Sequence, residues 1–378
     1  MTSSIIGVGH SPYTRHPGPE STTSKILAAA GLDALRSADL HPADIDGLGV
    51  ASFTLGPDHA IDLAWRMGLS LSWLMDDPNG GASAGTMLQH AVHAIESGAA
   101  KNILLVSGDH MEKEDFAHLV AHYNTATEDH LVPLPMLGPN ALFAMLTKAQ
   151  MEAYGLTRED YGRIAIAQRE WAGLNPCAAY RSPLSMDEYL QAPAVADPLH
   201  RYDCVPPVSG GDAVVVTADR RGRAALNVLS ARASYSFDGQ QGSGIETGIS
   251  QIADSCWNDS GLSPDDIGIV SAYDDYPAMV VSQLVDTGIF SSTRSVAESI
   301  AEQISTRRLP VNTSGGQLSA GQAGASGGMH GLAEVATQLL GRAGARQVEA
   351  RFGVVSGYGM VLYRYGACAT MTVLEGTR

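Results

Sequence analysis

The sequence predicts an α/β fold built from two similar halves. The first reason is an internal echo. "SADLHPADIDGLGV", ending at Val50, and "NDSGLSPDDIGIVSAY", ending at Tyr273, set Leu40, Pro42, Asp44 and Ile45 opposite Leu262, Pro264, Asp266 and Ile267, a constant offset of 222. The second is that each copy follows a helical run, "TSKILAAAGLDALRSA" or "GISQIADSCWNDSG", and leads into an apolar run. Each copy therefore reads as helix, Pro-Asp turn and buried strand. The third is that the other strand candidates are continuous apolar runs, the pattern of strands covered on both faces.

In chain order, "SIIGVG" (4–9) opens the first half as a strand, and the first echo copy follows. A helix over Thr86 to Ser97 is predicted from the single stripe of Met87, Leu88, Ala91, Ala94 and Ile95. "NILLVS" (102–107) and "DAVVVTA" (212–218) read as strands. Between them the segment 109–207 is richer in His, Pro, Tyr and Met, which suits a helical and looped excursion over the first half. The halves are expected to meet near 219–225, giving an N-terminal half 1–220 and a C-terminal half 221–378. "AALNVLSA" (224–231) and "FGVVSG" (352–357) are strand candidates of the second half.

Composition narrows the function classes. The 378 residues are 44% hydrophobic and 17% charged, as in an ordinary folded protein. A net charge of −16 argues against nucleic acid or an anionic membrane as partner. The short basic runs "DRRGR" (219–223) and "STRR" (305–308) read as solvated surface. The sequence carries no signal-peptide pattern and no apolar run of membrane-spanning length, and Cys177, Cys204, Cys256 and Cys368 show no metal-ligand spacing. A cytoplasmic protein with reduced thiols is the expectation.

The stretch "VNTSGGQLSAGQAGASGG" (311–328) stands apart. Its six glycines imply close backbone approach or φ > 0, yet it contains no Cys, His, Lys or Asp to act as a catalyst. It reads either as an active-site loop without its catalyst or as a turn.

Several ordered motifs together resemble the thiolase superfamily, in particular the sterol-carrier-protein-type thiolases and their bacterial lipid-transfer-protein-like relatives. "IIGVGHSPYTR" resembles their opening strand and turn, "LHPADIDGL" the turn after their first helix, and "GGDAVVVTADRR" the end of their first half. "YDDYPAMVVSQLVDTGIF" resembles their aspartate-aromatic loop and helix, "VNTSGGQLSAGQAGASGG" their glycine-rich histidine loop, and "VVSGYGMVLYRYG" their final loop and strand. The resemblance implies a duplicated fold of αβαβα layers. Thiolases use a nucleophilic Cys, a loop His and a second Cys. Here those positions fall on Ala82 (or Ser83, if the alignment slips by one), Gln322, and Val355 or Ser356.

Without a thiolate the acyl-enzyme step is left with Ser83 as a substitute nucleophile, and no base stands near it in sequence. Retro-aldol cleavage of a 3-hydroxyacyl-CoA needs only proton carriers and an oxyanion site. The resemblance extends to thiolase-like retro-aldolases of bacterial steroid side-chain breakdown, which also lack the Cys and His. On that basis Tyr358, Tyr273 and Tyr276 are the catalytic candidates. Ser83, Asn312, Gly321, Gln322, Gly324 and Gly357 are the substrate-binding candidates. Each has a plainer reading: a tyrosine ring packed with its hydroxyl bonded, Ser83 as a helix cap, the glycines as turns. Asp274 and Asp275 either orient a tyrosine or cap the following helix. His110, His118, His122 and His130 either line a pocket or are structural, and His330 reads as structural.

The resemblance further implies coenzyme A as part of the substrate with no tightly bound cofactor, a homodimer, and a small partner joining a zinc ribbon to an OB-fold. Two other readings stay open: a non-catalytic subunit or acyl-CoA-binding scaffold, and an acyltransferase using Ser83.

Overall fold

A computed structural model describes residues 3–134, 138–220, 222–237, 241–362 and 365–376. The first half runs β1 (Ser4–Thr14), α1 (Thr23–Ser37), β2 (Gly47–Ala51), α2 (His59–Met67), β3 (Trp73–Asp76), α3 (Ser83–Glu96) and β4 (Asn102–Asp109). An excursion follows, with α4 (Lys113–Ala121), α5 (Pro139–Tyr154), α6 (Arg158–Gly173), α7 (Met186–Leu190) and the small hairpin β5 (Ala194–Ala196) and β6 (Leu199–His200). β7 (Ser209–Thr217) returns to the sheet.

The second half runs β8 (Leu226–Tyr235), α8 (Ile249–Ser260), β9 (Ile269–Ala272), α9 (Pro277–Asp286) and α10 (Val296–Ser299). It continues through α11 (Gly316–Ala320) and α12 (Gly327–Leu339) and closes with β10 (Phe352–Leu362) and β11 (Tyr365–Gly376).

The internal echo has a structural cause. Pro42–Asp44 and Pro264–Asp266 each form a 3-10 turn between a helix and a strand. In each, the aspartate accepts the N–H of the residue before the proline, Asp44 from His41 and Asp266 from Ser263, both at 2.8 Å. Ile45 and Ile267 then turn inward. A proline supplies the fixed φ, an aspartate three residues after the cap closes the turn, and an isoleucine anchors it.

The duplication extends to strand order. The ladder runs β3-β2-β4-β7-β1-β8-β11-β10-β9. Within it β2-β4-β7-β1 and β9-β10-β11-β8 repeat the same pattern: one parallel pair, then two antiparallel pairs. β3 is an addition at the outer edge of the first half. Within the nine-stranded ladder, the halves join where β1 meets β8, at Ser4–Asn227 and Ile5–Leu226.

Alternate strand residues point to different layers. Leu104, Val106, Ala213 and Val215 pack with α1 and α2 on one outer face. Ile103, Leu105, Val214 and Val216 face inward and meet Met87 and Leu88 of α3, Met329 and Leu332 of α12, and Val228, Val355 and Leu374 of the second half. Val270, Val354, Met371 and Val373 pack outward against α8 and α9. The result is the αβαβα layering, with α3 and α12 as the central pair. β2, β4, β7 and β9 are covered on both faces, which is why they read as continuous apolar runs, whereas β8 is only alternately buried.

Candidate active site

The loops that end these strands on one side enclose a small cavity of about 70 Å³. The first half contributes Phe53 and Gly81, the excursion Phe116, Tyr123 and Phe143, and the second half Tyr273, Asp275, Tyr276, Gln322 and Gly324. Leu119 and Val120 of α4 complete an apolar wall. A larger open hollow of about 680 Å³, beside Tyr154, Asp265 and Arg294, contains none of the candidate catalytic or binding residues.

The polar side of the cavity comes from the β9–α9 loop. The Tyr273 hydroxyl donates to Asp275 Oδ2 at 3.0 Å. Gln322 Nε2 donates to Asp275 Oδ1 at 2.8 Å and to the Tyr273 oxygen at 3.3 Å. Burial pushes the Asp275 carboxyl up to about 7; the bond from Tyr273 pulls the other way, and the charge of Asp274 adds to the rise. Burial, and then the Asp275 charge, hold the Tyr273 hydroxyl well above its ordinary pKa, so a free tyrosinate is disfavoured. A carboxylate near neutrality bonded to a neutral phenol is a proton-relay arrangement.

Asp274 has another task. Its two oxygens accept the N–H groups of Gln317 and Leu318 and the Gln168 side chain at 3.0, 3.3 and 3.0 Å. It caps α11, inside the glycine-rich loop, rather than the helix that follows it in sequence. Orienting a tyrosine falls to Asp275 alone, and neither aspartate caps α9, whose cap position is Tyr276 with no side-chain bond.

Tyr276 lines the cavity, and its hydroxyl donates to Asn140 Oδ1 at 2.6 Å. Its ring stacks on Phe143 at 4.5 Å. Tyr358 is 1% exposed and does not line the cavity; its ring meets the other side of the scene at Phe143, edge-on at 6.1 Å. Phe143 thus touches both rings.

The glycine-rich segment divides into α11, a 3-10 turn over Gly324–Ser326, and the start of α12. Gly315, Gly316, Gly321 and Gly324 have φ of 101°, 58°, 112° and 56°, which explains the residue type. Gln322 and Gly324 reach the cavity, whereas Gly321 faces Val208. Gln322 is held by its backbone, its N–H bonding the Pro206 carbonyl and its C=O accepting from Val208, each at 2.9 Å. Its Oε1 is a buried acceptor without a partner, a feature that a bound donor completes.

The other binding candidates lie apart from the cavity. Asn312 bridges the N–H and C=O of Ala272, both at 2.9 Å, and ties the loop to β9. Gly357 lies in β10, where a side chain would collide with Thr370 and with the backbone at Gly81 and Ala82. Ser83 is fully buried as the first residue of α3, and its hydroxyl reaches the Asp77 carbonyl at 3.4 Å. Gly81 allows the site to close: a Cβ there would lie 2.2 Å from the Tyr273 ring.

None of His110, His118, His122 and His130 lines the cavity; the excursion supplies Tyr123 and phenylalanines instead. Tyr123 had no local signal, because it becomes a wall residue only through long-range packing, edge-on against Phe53 at 6.1 Å. His330, on α12, bonds Ser314 at 2.8 Å. Among the described residues no group of three or more His, Cys, Asp or Glu is placed to hold a metal ion, and no helix is long and apolar enough to cross a membrane.

Layered αβαβα architecture, duplicated strand order and a cavity where the two halves' loops meet define a thiolase-fold protein, and the resemblance to the thiolase superfamily holds across the fold. Residues 234–373 match the family described as thiolase C-terminal domain-like. A steroid side-chain-cleaving aldolase of Thermomonospora curvata is 29% identical over 367 residues, 90% of each chain. The 17-hydroxy-3-oxo-4-pregnene-20-carboxyl-CoA lyase of Mycobacterium tuberculosis is 29% identical over 364 residues, 90% of this chain and 92% of the relative. Among solved structures, one described as an Ltp2-ChsH2(DUF35) aldolase superposes with a TM-score of 0.84 at 24% identity, covering 100% of this chain and 98% of that one.

Proposed function

We propose that this chain is a retro-aldolase of the thiolase superfamily. It cleaves the Cα–Cβ bond of a bulky, steroid-like 3-hydroxyacyl-CoA to a ketone or aldehyde and a shorter acyl-CoA. The observation that carries this reading is the bonded set Tyr273, Asp275 and Gln322 on the wall of an otherwise apolar cavity. The two relatives named for steroid cleavage support the reaction class and the substrate class.

The chemistry needs one proton relay. The Tyr273 oxygen takes the proton of the substrate's 3-hydroxyl while its own proton passes to ionised Asp275. The electron pair left on oxygen becomes the new C=O, the Cα–Cβ bond breaks, and its electrons form the thioester enolate. The proton then returns through Tyr273 to Cα, so atoms and charges balance without a resident cofactor. Tyr273 needs the carboxylate because its own pKa is too high for it to act as an independent base. Tyr276 donates its hydrogen bond to Asn140 Oδ1 and shapes the wall. Tyr358, outside the cavity lining, meets the site through the Phe143 ring.

Coenzyme A enters as part of the substrate. A cavity of about 70 Å³ accommodates the reacting centre and not a ring system. The wall that gives way is α4, which buries none of its residues. A homodimer and a small zinc-ribbon/OB-fold partner belong to the same proposal. The neighbour described as an Ltp2-ChsH2(DUF35) aldolase supports the partner, and the exposed Ile61 and Trp65 near the β3 edge offer surface for a second protein. Free cysteines at 177, 204, 256 and 368 support a cytoplasmic setting.

The test is to incubate the purified chain, alone and with its partner, with a 3-hydroxyacyl-CoA and to measure ketone and shortened acyl-CoA together. Equimolar appearance of both, lost in Asp275→Asn, supports the reading. Acyl-CoA binding with no cleavage under either condition points instead to a scaffold.

A further inference from the structure

A second polar centre lies behind the glycine-rich loop, away from the cavity. Its core is Asp212 of β7, whose side chain is 1% exposed. His10 Nδ1 lies 2.5 Å from Asp212 Oδ1, and the Tyr13 hydroxyl and Ser326 Oγ donate to Oδ2, the latter at 3.1 Å. His330 Nδ1 lies 3.5 Å from the same carboxylate, and its Nε2 lies 2.8 Å from Ser314 Oγ. Ser314 and Ser326 sit at opposite ends of the segment that carries Gln322 and Gly324 to the cavity. The buried carboxylate thus bonds one end of the loop, at Ser326, and stands by the other only through the looser 3.5 Å contact with His330, which bonds Ser314.

Ser314, His330 and Asp212 stand in the order of a hydrolase triad, but Ser314 is 2% exposed and lines no cavity described above. The centre holds structure rather than attacking a substrate. It also has an outlet to solvent, because the His10 side chain is 41% exposed.

We propose that Asp212 is a positioning residue for the glycine-rich loop and that the proton shared between Asp212 and His10 sets how firmly the loop is held. An aspartate anion is acceptor-only, so His10 must carry hydrogen on Nδ1. Protonated His10 makes a charge-assisted bond; neutral His10 keeps the contact but loses the charge. The other charged groups around His10 are Asp33 of α1, which accepts its backbone N–H at 3.0 Å and pairs with Arg36, and Glu334 of α12, which is paired with Arg346. Burial lowers the His10 pKa, but the bond to Asp212 and the charges of Asp212, Glu334 and Asp33 outweigh it, and the pKa is raised. The sign follows: the anchor is at full strength below the ordinary histidine pKa and weakens as pH rises through the raised value. Its effect on turnover rests on the retro-aldol reading; the anchor itself does not.

The experiment is amide hydrogen exchange of peptides within 312–328, corrected for intrinsic rate, from about pH 6 to about pH 9, the range spanning an elevated histidine. Wild-type protection is expected to fall about fivefold across it, the difference between a charge-assisted and a neutral hydrogen bond. His10→Gln keeps a neutral donor and should show the weaker, flat protection at every pH. Asp212→Asn, which cannot serve all these donors, should loosen the loop even at low pH; if it does not fold, His10→Gln decides alone. A flat wild-type profile, or an unchanged slope in His10→Gln, overturns the proposal. No substrate is involved, so a failed cleavage assay leaves this result standing and a flat exchange profile leaves the cleavage reading standing.

Discussion

Tyr273 and Asp275 are two residues apart, share one loop, and are joined by a 3.0 Å hydrogen bond at the cavity wall. Backbone geometry makes the pairing possible. The intervening Asp274 is drawn away by the N–H groups of α11, so its neighbours turn to the other side. One aspartate fixes the glycine-rich loop and the next serves the cavity.

Tyr273→Phe tests the relay. The ring stays against Gly81 and only the hydroxyl is lost. A positioned acid-base group contributes about 100- to 10,000-fold, and kcat should fall within that range. Stability should drop by about 1–3 kcal/mol, because the buried Asp275 carboxyl loses a donor. Tyr358→Phe, remote from the cavity lining, should lose less than Tyr273→Phe. The reverse ranking in steady-state kinetics would make Tyr358 the principal carrier.

Ser83→Ala should retain nearly full cleavage, and wild-type protein should show no acyl adduct by intact mass. The hydroxyl is buried, bonds the Asp77 carbonyl and lies outside the cavity lining, so no substrate carbonyl reaches it there. A trapped adduct on Ser83 would restore acyl transfer as the working chemistry.

Gly81→Ala places a methyl where the Tyr273 ring now sits, 2.2 Å away. The expected result is a fall in kcat of at least about tenfold, since small displacements of reacting groups are costly, together with a lower melting temperature, because the same Cβ lies 2.4 Å from the Tyr358 carbonyl oxygen. Equal turnover would separate Tyr273 from the chemistry. Gly324→Val is a different case: its φ of 56° and its closeness to Asp109 predict a folding defect rather than simple occlusion.

Much of this was legible in the sequence. The repeated Leu-x-Pro-x-Asp-Ile pattern marks a turn whose logic is entirely local, so it shows in both halves. The glycine-rich loop announced its left-handed positions through residue type alone. The rest depends on long-range packing. Asn312 looked like a ligand donor, yet both ends of its amide are spent on Ala272, 40 residues away. Phe143 and Tyr123 carry no motif and become walls only when the excursion folds over the strand ends. β3, four residues long, has too short a run to distinguish from its neighbours. The Asp212 centre joins β1, β7, the glycine-rich segment and α12, and no local window contains both Asp212 and its partners.

The central claim is that Asp275, through Tyr273, takes the substrate's hydroxyl proton. The most direct measurement is the pH dependence of kcat/KM for cleavage of a 3-hydroxyacyl-CoA by wild type and Asp275→Asn. Only the ionised carboxylate is a base, so wild-type activity should rise with pH and level off above a midpoint near the value of about 7 that burial imposes on Asp275. Asp275→Asn should lose that rising limb and about 100- to 10,000-fold in rate. A rising limb that survives in Asp275→Asn with its midpoint unchanged would contradict the account and assign the base elsewhere.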